Sequence, residues 1–141
     1  MKFSFATIAL LPAVALAQRA TWDSFFDNGS NTLNNVACSD GANGLLTKGF
    51  TTFASLPKFP FIGGASAVAG WNSPNCGTCW EITYINPKGV PKTINIIAVD
   101  TAGHGYNLSK QAMNELTGGR ADELGSVTVT SKKVANSVCG M

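Results

Sequence analysis

The chain has 141 residues, of which 13% are charged and 45% hydrophobic, with a formal net charge of +2. That length fits one domain. The sparse, balanced charge excludes a disordered polyelectrolyte and argues against a nucleic-acid binder, whose basic residues would be clustered and in excess.

Residues 1–17 read as a secretory signal peptide. Lys2 supplies the positive start, an apolar run follows, and Ala15-Leu16-Ala17 fits a small-x-small cleavage site, with Ala20 the weaker alternative. No other apolar run approaches membrane-spanning length. The mature chain, residues 18–141, keeps about 124 residues, enough for one compact core. Fifteen glycines and six prolines point to many turns, hence to more strand and loop than helix.

Export changes how the cysteines read. Cys38, Cys76, Cys79 and Cys139 are an even set in a chain bound for an oxidising compartment, which predicts two structural disulfides. Cys76-Gly77-Thr78-Cys79 has the spacing of a redox motif, but no strand-to-helix unit surrounds it. A zinc site would need a second such pair, and Cys38 and Cys139 are isolated. Gly77 permits a turn that sends its two neighbours to different partners. Spacing leaves three connectivities open.

In chain order, Trp22, Phe25 and Phe26 open a polar, turn-rich stretch over 18–35. A short extended piece follows at 36–39, and 44–56 leaves room for one or two helical turns before Pro57. Residues 57–60, with two prolines, exclude regular helix. Gly63-Gly64 opens a strand over 65–71, whose small residues suit close approach to another backbone. Residues 79–85 alternate, with Trp80, Ile82 and Tyr84 on one face, as a half-buried antiparallel strand does. Residues 92–100 are apolar on both faces and make the candidate central strand, running straight into Asp100. Ser109 is placed to cap a helix over 110–116, which Gly118-Gly119 ends. A further turn at 122–124 and a Val- and Thr-rich strand over 126–134 complete a small, mainly β domain, best accommodated as a compact barrel.

Little catalytic equipment is present. His104 is the single histidine, so a serine triad or a two-histidine zinc site lacks parts. It reads as a solvated loop residue. Of eight carboxylates, Asp100 stands out: it follows an apolar strand with the parity of Ile96 and Ala98, which puts it at the mouth of the core. There it either binds a ligand or satisfies N–H groups of the 102–105 loop. Trp71, Tyr106, Phe50 and Trp22 are candidate ring faces for a sugar, with Asn72, Asn107 and Ser109 as polar partners. Asn28 and Asn107 each begin a glycosylation acceptor pattern, and a glycan on Asn107 would obstruct a site there.

Several motifs taken together carry a family resemblance. They are Val36-Ala37-Cys38-Ser39-Asp40-Gly41, Gly44-Leu45-Leu46-Thr47-Lys48-Gly49, Cys76-Gly77-Thr78-Cys79-Trp80, Asp100-Thr101-Ala102-Gly103 and Gln111-Ala112-Met113-Asn114-Glu115-Leu116-Thr117-Gly118-Gly119. From about Trp22 to Met141 the chain resembles the cerato-platanins, small secreted fungal proteins. The resemblance implies a six-stranded double-ψ β-barrel, related to the first domain of expansins, with short helices in the connections. It also implies disulfides Cys38–Cys76 and Cys79–Cys139. Members of the family bind chitin oligomers, some loosen cellulose without hydrolysing it, some self-assemble at interfaces, and many trigger plant defence. Their shallow groove for N-acetylglucosamine oligomers maps onto Ser39, Asp40, Gly41, Asp100, Asn107 and Ser109. In the hydrolytic relatives of expansins a second Asp stands where this chain has Asn107, so an acid/base carboxylate pair is incomplete. Thr101 and His104 replace residues that are often His and acidic in the family, and Asn86-Pro87-Lys88-Gly89 with Val90-Pro91 looks like a lengthened hairpin turn.

The expectation is a secreted, non-enzymatic carbohydrate-binding protein of the fungal wall or secretome. It needs no cofactor or metal, binds neither nucleic acid nor membrane, and is open to perception by a plant surface receptor as an elicitor or virulence factor. Two rival readings are a surface-active, self-assembling wall protein and a weak glycosidase using Asp100 with an unseen partner.

Overall fold

The computed structural model describes residues 16–141, so all but the last two residues of the expected signal segment lie outside the described residues. Six strands close into a barrel: β1 (Gln18–Trp22), β2 (Ile62–Ala65), β3 (Cys79–Ile85), β4 (Pro91–Thr101), β5 (Tyr106–Leu108) and β6 (Ser126–Val134). Around the barrel the order is β1-β5-β2-β4-β3-β6, with β6 pairing back to β1. β1 runs parallel to β5 and β2 parallel to β4, while the remaining pairs are antiparallel. This is the mixed six-stranded barrel that the resemblance implies, and closure leaves no strand edge exposed to pairing.

β4 is the central element. Ile96, Ile97, Ala98 and Val99 are all fully buried, although successive side chains of a strand point to opposite faces. Both faces are covered because β4 has the barrel interior on one side, while helix α1 (Lys110–Thr117) and a C-terminal 3₁₀ turn (Asn136–Cys139) also pack against it. A polar chain crosses the barrel wall: the Tyr106 hydroxyl donates to Ser131 Oγ at 2.7 Å, and Ser131 donates to Gln18 Oε1 at 2.6 Å. Burial pushes the Tyr106 hydroxyl above its ordinary pKa.

Disulfides join Cys38 to Cys76 and Cys79 to Cys139, and no cysteine is free. The first ties the 36–43 segment to the loop before β3. The second ties the chain end to the start of β3.

Strands β3 and β6 fall at the expected bounds, and β4 extends its expected range by one residue at each end. Two expectations change. β1 lies in a stretch read as turn-rich, and β5 in one that had been given no element. β2 spans Gly63-Gly64 and ends at Ala65, where a strand had been expected to begin. A Cβ on Gly63 would meet Asn107 O at 2.3 Å, and one on Gly64 would meet Thr101 O at 2.4 Å. Close backbone approach is therefore real, but it occurs at the glycines themselves. The 44–56 stretch holds one helical turn, of 3₁₀ type (Phe53–Ser55), as expected, among other turns. A second short helix, α2 (Ala121–Leu124), occupies the turn expected near 122–124.

Candidate functional site

The barrel registers bring the candidate residues into a row. Thr21 on β1 pairs with Asn107 on β5, Asn107 with Gly64 on β2, and Gly64 with Asp100 on β4. Adjacent strands are spaced by 4.7–4.9 Å, so the backbones of Asp100 and Asn107 stand about 10 Å apart. Between them is Gly64, which carries no side chain. The result is one polar group on each bank of the Gly64 strand.

The two banks differ in chemistry. Asp100 is half-buried, and its Oδ1 accepts from Ala37 N at 3.0 Å and Thr101 N at 2.9 Å. The partners expected in the 102–105 loop are not used; the carboxylate instead holds the 36–41 segment, together with the Cys38 N–H to Val99 O bond at 3.1 Å. Oδ2 accepts no hydrogen bond among the described residues. Asn107 is half-buried and takes the Thr21 hydroxyl on Oδ1 at 3.0 Å. That leaves its Nδ2 hydrogens to donate. One bank is thus an anionic acceptor and the other a neutral donor.

Ser109 is a correction. It is fully buried, and its hydroxyl donates to Pro60 O while accepting from Ala112 N at 3.0 Å. Its donor is spent on the proline loop and one lone pair on capping α1, and with no exposed surface the side chain is not offered to a ligand. Asp27 adds a second cap: its two oxygens accept from Lys110 N at 2.7 Å and Gln111 N at 2.9 Å.

The Ser39-Asp40-Gly41 turn follows Ala37, the residue held by Asp100, along the same segment. Asp40 is exposed, and its Oδ1 accepts from Trp71 Nε1 at 2.7 Å and Ser39 Oγ at 3.3 Å. The Trp71 hydrogen bond, above all, holds the Asp40 carboxyl below the usual carboxylate range. Gly41 has φ of 82°, and a Cβ there would meet Asn72 Oδ1 at 2.7 Å, so this turn requires glycine. Of the four candidate rings, Trp71 is 62% exposed. Tyr106 is in the core. Trp22 donates to Ala121 O at 2.8 Å and lies under the Lys110 ammonium, 5.0 Å from its ring centre. Phe50 packs half-buried against the core.

His104 is exposed in the loop after β4. It borders a concavity of about 490 Å³ with Gln18, Arg19 and Thr128, while another of about 440 Å³ lies between the β3–β4 hairpin and the end of α1. Neither includes Asp100 or Asn107. Across the mouth of the second, Lys92 and Glu115 pair at 2.9 Å and satisfy one another. Among the described residues no group of three His, Cys, Asp or Glu side chains is arranged to hold a metal ion.

A closed mixed barrel with two disulfides defines a class, and comparison places the chain in it. The cerato-platanin family model matches residues 19–141. The chain is 43% identical to a heat-stable 19 kDa antigen of Coccidioides posadasii, over all of this chain and 99% of that protein. It is similar to the crystal structure of cerato-platanin 1 from M. perniciosa, at 48% identity and a TM-score of 0.84, covering 86% of this chain and 98% of the other. It is also similar to the solution structure of the fungal elicitor cerato-platanin, at 35% identity and a TM-score of 0.75, covering 86% and 95%. The chain belongs to the cerato-platanin family.

Proposed function

We propose that this protein is a secreted, non-hydrolytic binder of chitin-type N-acetylglucosamine oligomers, with cellulose as a secondary surface. The observation that carries this reading is the pair of unlike banks: Asp100 Oδ2 to accept, Asn107 Nδ2 to donate, about 10 Å apart across Gly64. A sugar with hydroxyl and acetamido groups offers both a donor and an acceptor. An anionic polymer would meet Asp100 unfavourably, and a purely apolar ligand would leave both groups desolvated. Hydrolysis needs two carboxyl groups across one bond, and the second position here is an amide that exchanges no proton.

The signal-like leading segment and the two disulfides support secretion. Cleavage after Ala17 is preferred to cleavage after Ala20. Ala20 is buried in β1, and losing residues 18–20 would remove most of the strand that closes the barrel. An eliciting role is carried over from the relative described as a fungal elicitor. The surface-active alternative has its own support in Ile85 and Val90, exposed at the far end of the β3–β4 hairpin.

Titration with chitin and cello-oligomers, followed by backbone amide NMR, tests the reading. Shifts should centre on Ala37, Asp100 and Asn107. A reducing-end assay on the same oligomers should show no release. Absence of oligomer binding, together with film formation at an air–water interface, would transfer the function to the surface-active reading.

A further inference from the structure

Trp71 presents an exposed indole that is nevertheless rigidly held. Its ring nitrogen donates to Asp40 Oδ1 at 2.7 Å. The next residue is clamped twice: Asn43 N donates to Asn72 Oδ1 and Asn43 Nδ2 donates to Asn72 O, both at 3.0 Å. Asn72 takes φ of 60°, an uncommon left-handed conformation outside glycine. The Cys38–Cys76 disulfide joins the two segments just outside these bonds. Thr47 Oγ1 closes the turn onto Gly41 O at 2.6 Å. Polar ties and a covalent one thus hold a large apolar ring in water.

The surroundings select the occupant. The large exposed hydrophobic residues described are Leu16, Phe25, Trp71, Ile85, Val90 and Val138, and none of the others lies in the 37–47 or 70–76 segments. A protein or lipid surface would call for a contiguous apolar patch. A single ring rimmed by Ser39, Asp40, Asn43 and Asn72 instead suits a ligand that is apolar on its face and polar at its edge, as a pyranose ring is. The site is also continuous with the groove. Asp100 holds Ala37 and Asp40 holds Trp71, three residues further along one segment, at most about 11 Å of chain.

We infer that Trp71 is a stacking subsite for a further ring of the same β-linked N-acetylglucosamine chain, and that Asp40 acts chiefly as the positioning residue that holds the indole rather than as a direct sugar ligand. This rests on the groove reading above and assigns its extension. Short oligomers fill the Asp100–Asn107 groove alone, while longer ones also cover Trp71.

The test compares the N-acetylglucosamine dimer and hexamer, titrated into the unmodified protein, Trp71→Ala, Trp71→Tyr, Asp40→Ala, Asp40→Asn and Asp100→Ala. The Trp71 indole N–H resonance, assigned by its loss in Trp71→Ala, serves as a direct probe. Trp71→Ala should weaken hexamer binding about tenfold and leave dimer binding within about twofold, with Trp71→Tyr in between. Asp40→Ala should reproduce the hexamer-selective loss and alter the indole resonance. Asp40→Asn, which keeps an acceptor oxygen, should restore both. The hexamer, not the dimer, should shift the indole resonance of the unmodified protein. Equal hexamer affinity in folded Trp71→Ala, with Asp100→Ala still losing both ligands, would overturn the subsite and leave the groove standing. Equal loss of dimer and hexamer in Asp40→Ala would make Asp40 a direct ligand and overturn its positioning role. If the unmodified protein binds neither oligomer, groove and subsite fall together.

Discussion

The barrel around β4 and the platform around Trp71 are held by different forces. In the first, Ile96, Ile97, Ala98 and Val99 are sealed between barrel interior and outer cover, and the strand ladders satisfy the backbone. In the second, side-chain oxygens of Asp40, Asn72 and Asp100 hold exposed loops, and a disulfide links them. Apolar burial is non-directional and tolerates small adjustments, whereas a polar clamp acts only while its donor and acceptor keep their geometry. The protein therefore keeps its stability in one place and its recognition surface in another, and the two respond to different perturbations.

The two disulfides give the largest contrast. Replacing either pair by serine should cost roughly 4 kcal/mol on the loop-closure model, since the closed loops are of similar length. Stability alone does not distinguish them. Cys38→Ser with Cys76→Ser should also weaken N-acetylglucosamine hexamer binding by on the order of tenfold or more, because it uncouples the platform segments. Cys79→Ser with Cys139→Ser should leave affinity unchanged in the folded fraction. Denaturant midpoints and titration on both variants check this, and equal affinity losses would break the comparison.

Next come single substitutions in each region. Ile97→Ala removes a fully buried side chain and should cost about 3 kcal/mol without changing affinity. Asp100→Ala should abolish binding while costing about 2–3 kcal/mol, the worth of its hydrogen bonds to Ala37 and Thr101 at a half-buried site. Asp100→Asn should recover most of that stability and part of the binding. Thermal unfolding beside oligomer titration separates the two effects; a large stability loss in Asp100→Ala would make the residue mainly a loop anchor.

Asp27→Ala tests the barrel's outer cover. It deletes the carboxylate at the start of α1 and should cost about 1 kcal/mol, leaving the groove intact. Urea unfolding measures it.

The smallest effect is a pH dependence confined to the platform. The Asp40 carboxyl is lowered, first of all by the Trp71 N–H bond, so its contribution is complete above the ordinary carboxylate range and is lost as pH falls through the depressed value. The Trp71 indole resonance should stay constant from pH 6 to pH 5 and move only at more acidic pH, below the ordinary carboxylate midpoint. A transition centred at or above that midpoint would show that the hydrogen bond does not hold the charge.

How far the sequence foretold this molecule depends on the kind of signal each part carries. β3, β4, β6 and α1 were legible because each contains enough residues to display its own periodicity, and Ser109 with Gly118-Gly119 marks the helix ends. Asp100 was legible as the polar end of an apolar strand. Family motifs supplied the disulfide pairing, which spacing left at three choices. β5, with three residues, and β1, with five, show no alternation long enough to read. They are strands because each lies between two partners in a closed barrel.

The same division runs through the site. Composition, the leading segment, the four cysteines and the long periodic strands by themselves determined a small, disulfide-bonded, mainly β domain with Asp100 at a strand end. Only the tertiary structure decided that Asn107 and Asp100 face each other across Gly64, that Ser109 is spent inside the protein, and that Trp71 alone of the candidate rings stands exposed. The physical reason is that periodicity is a local property of the chain. A hydrogen bond between Asp40 and Trp71, or a register across four strands, joins residues far apart in sequence and exists only once the barrel has closed around its core.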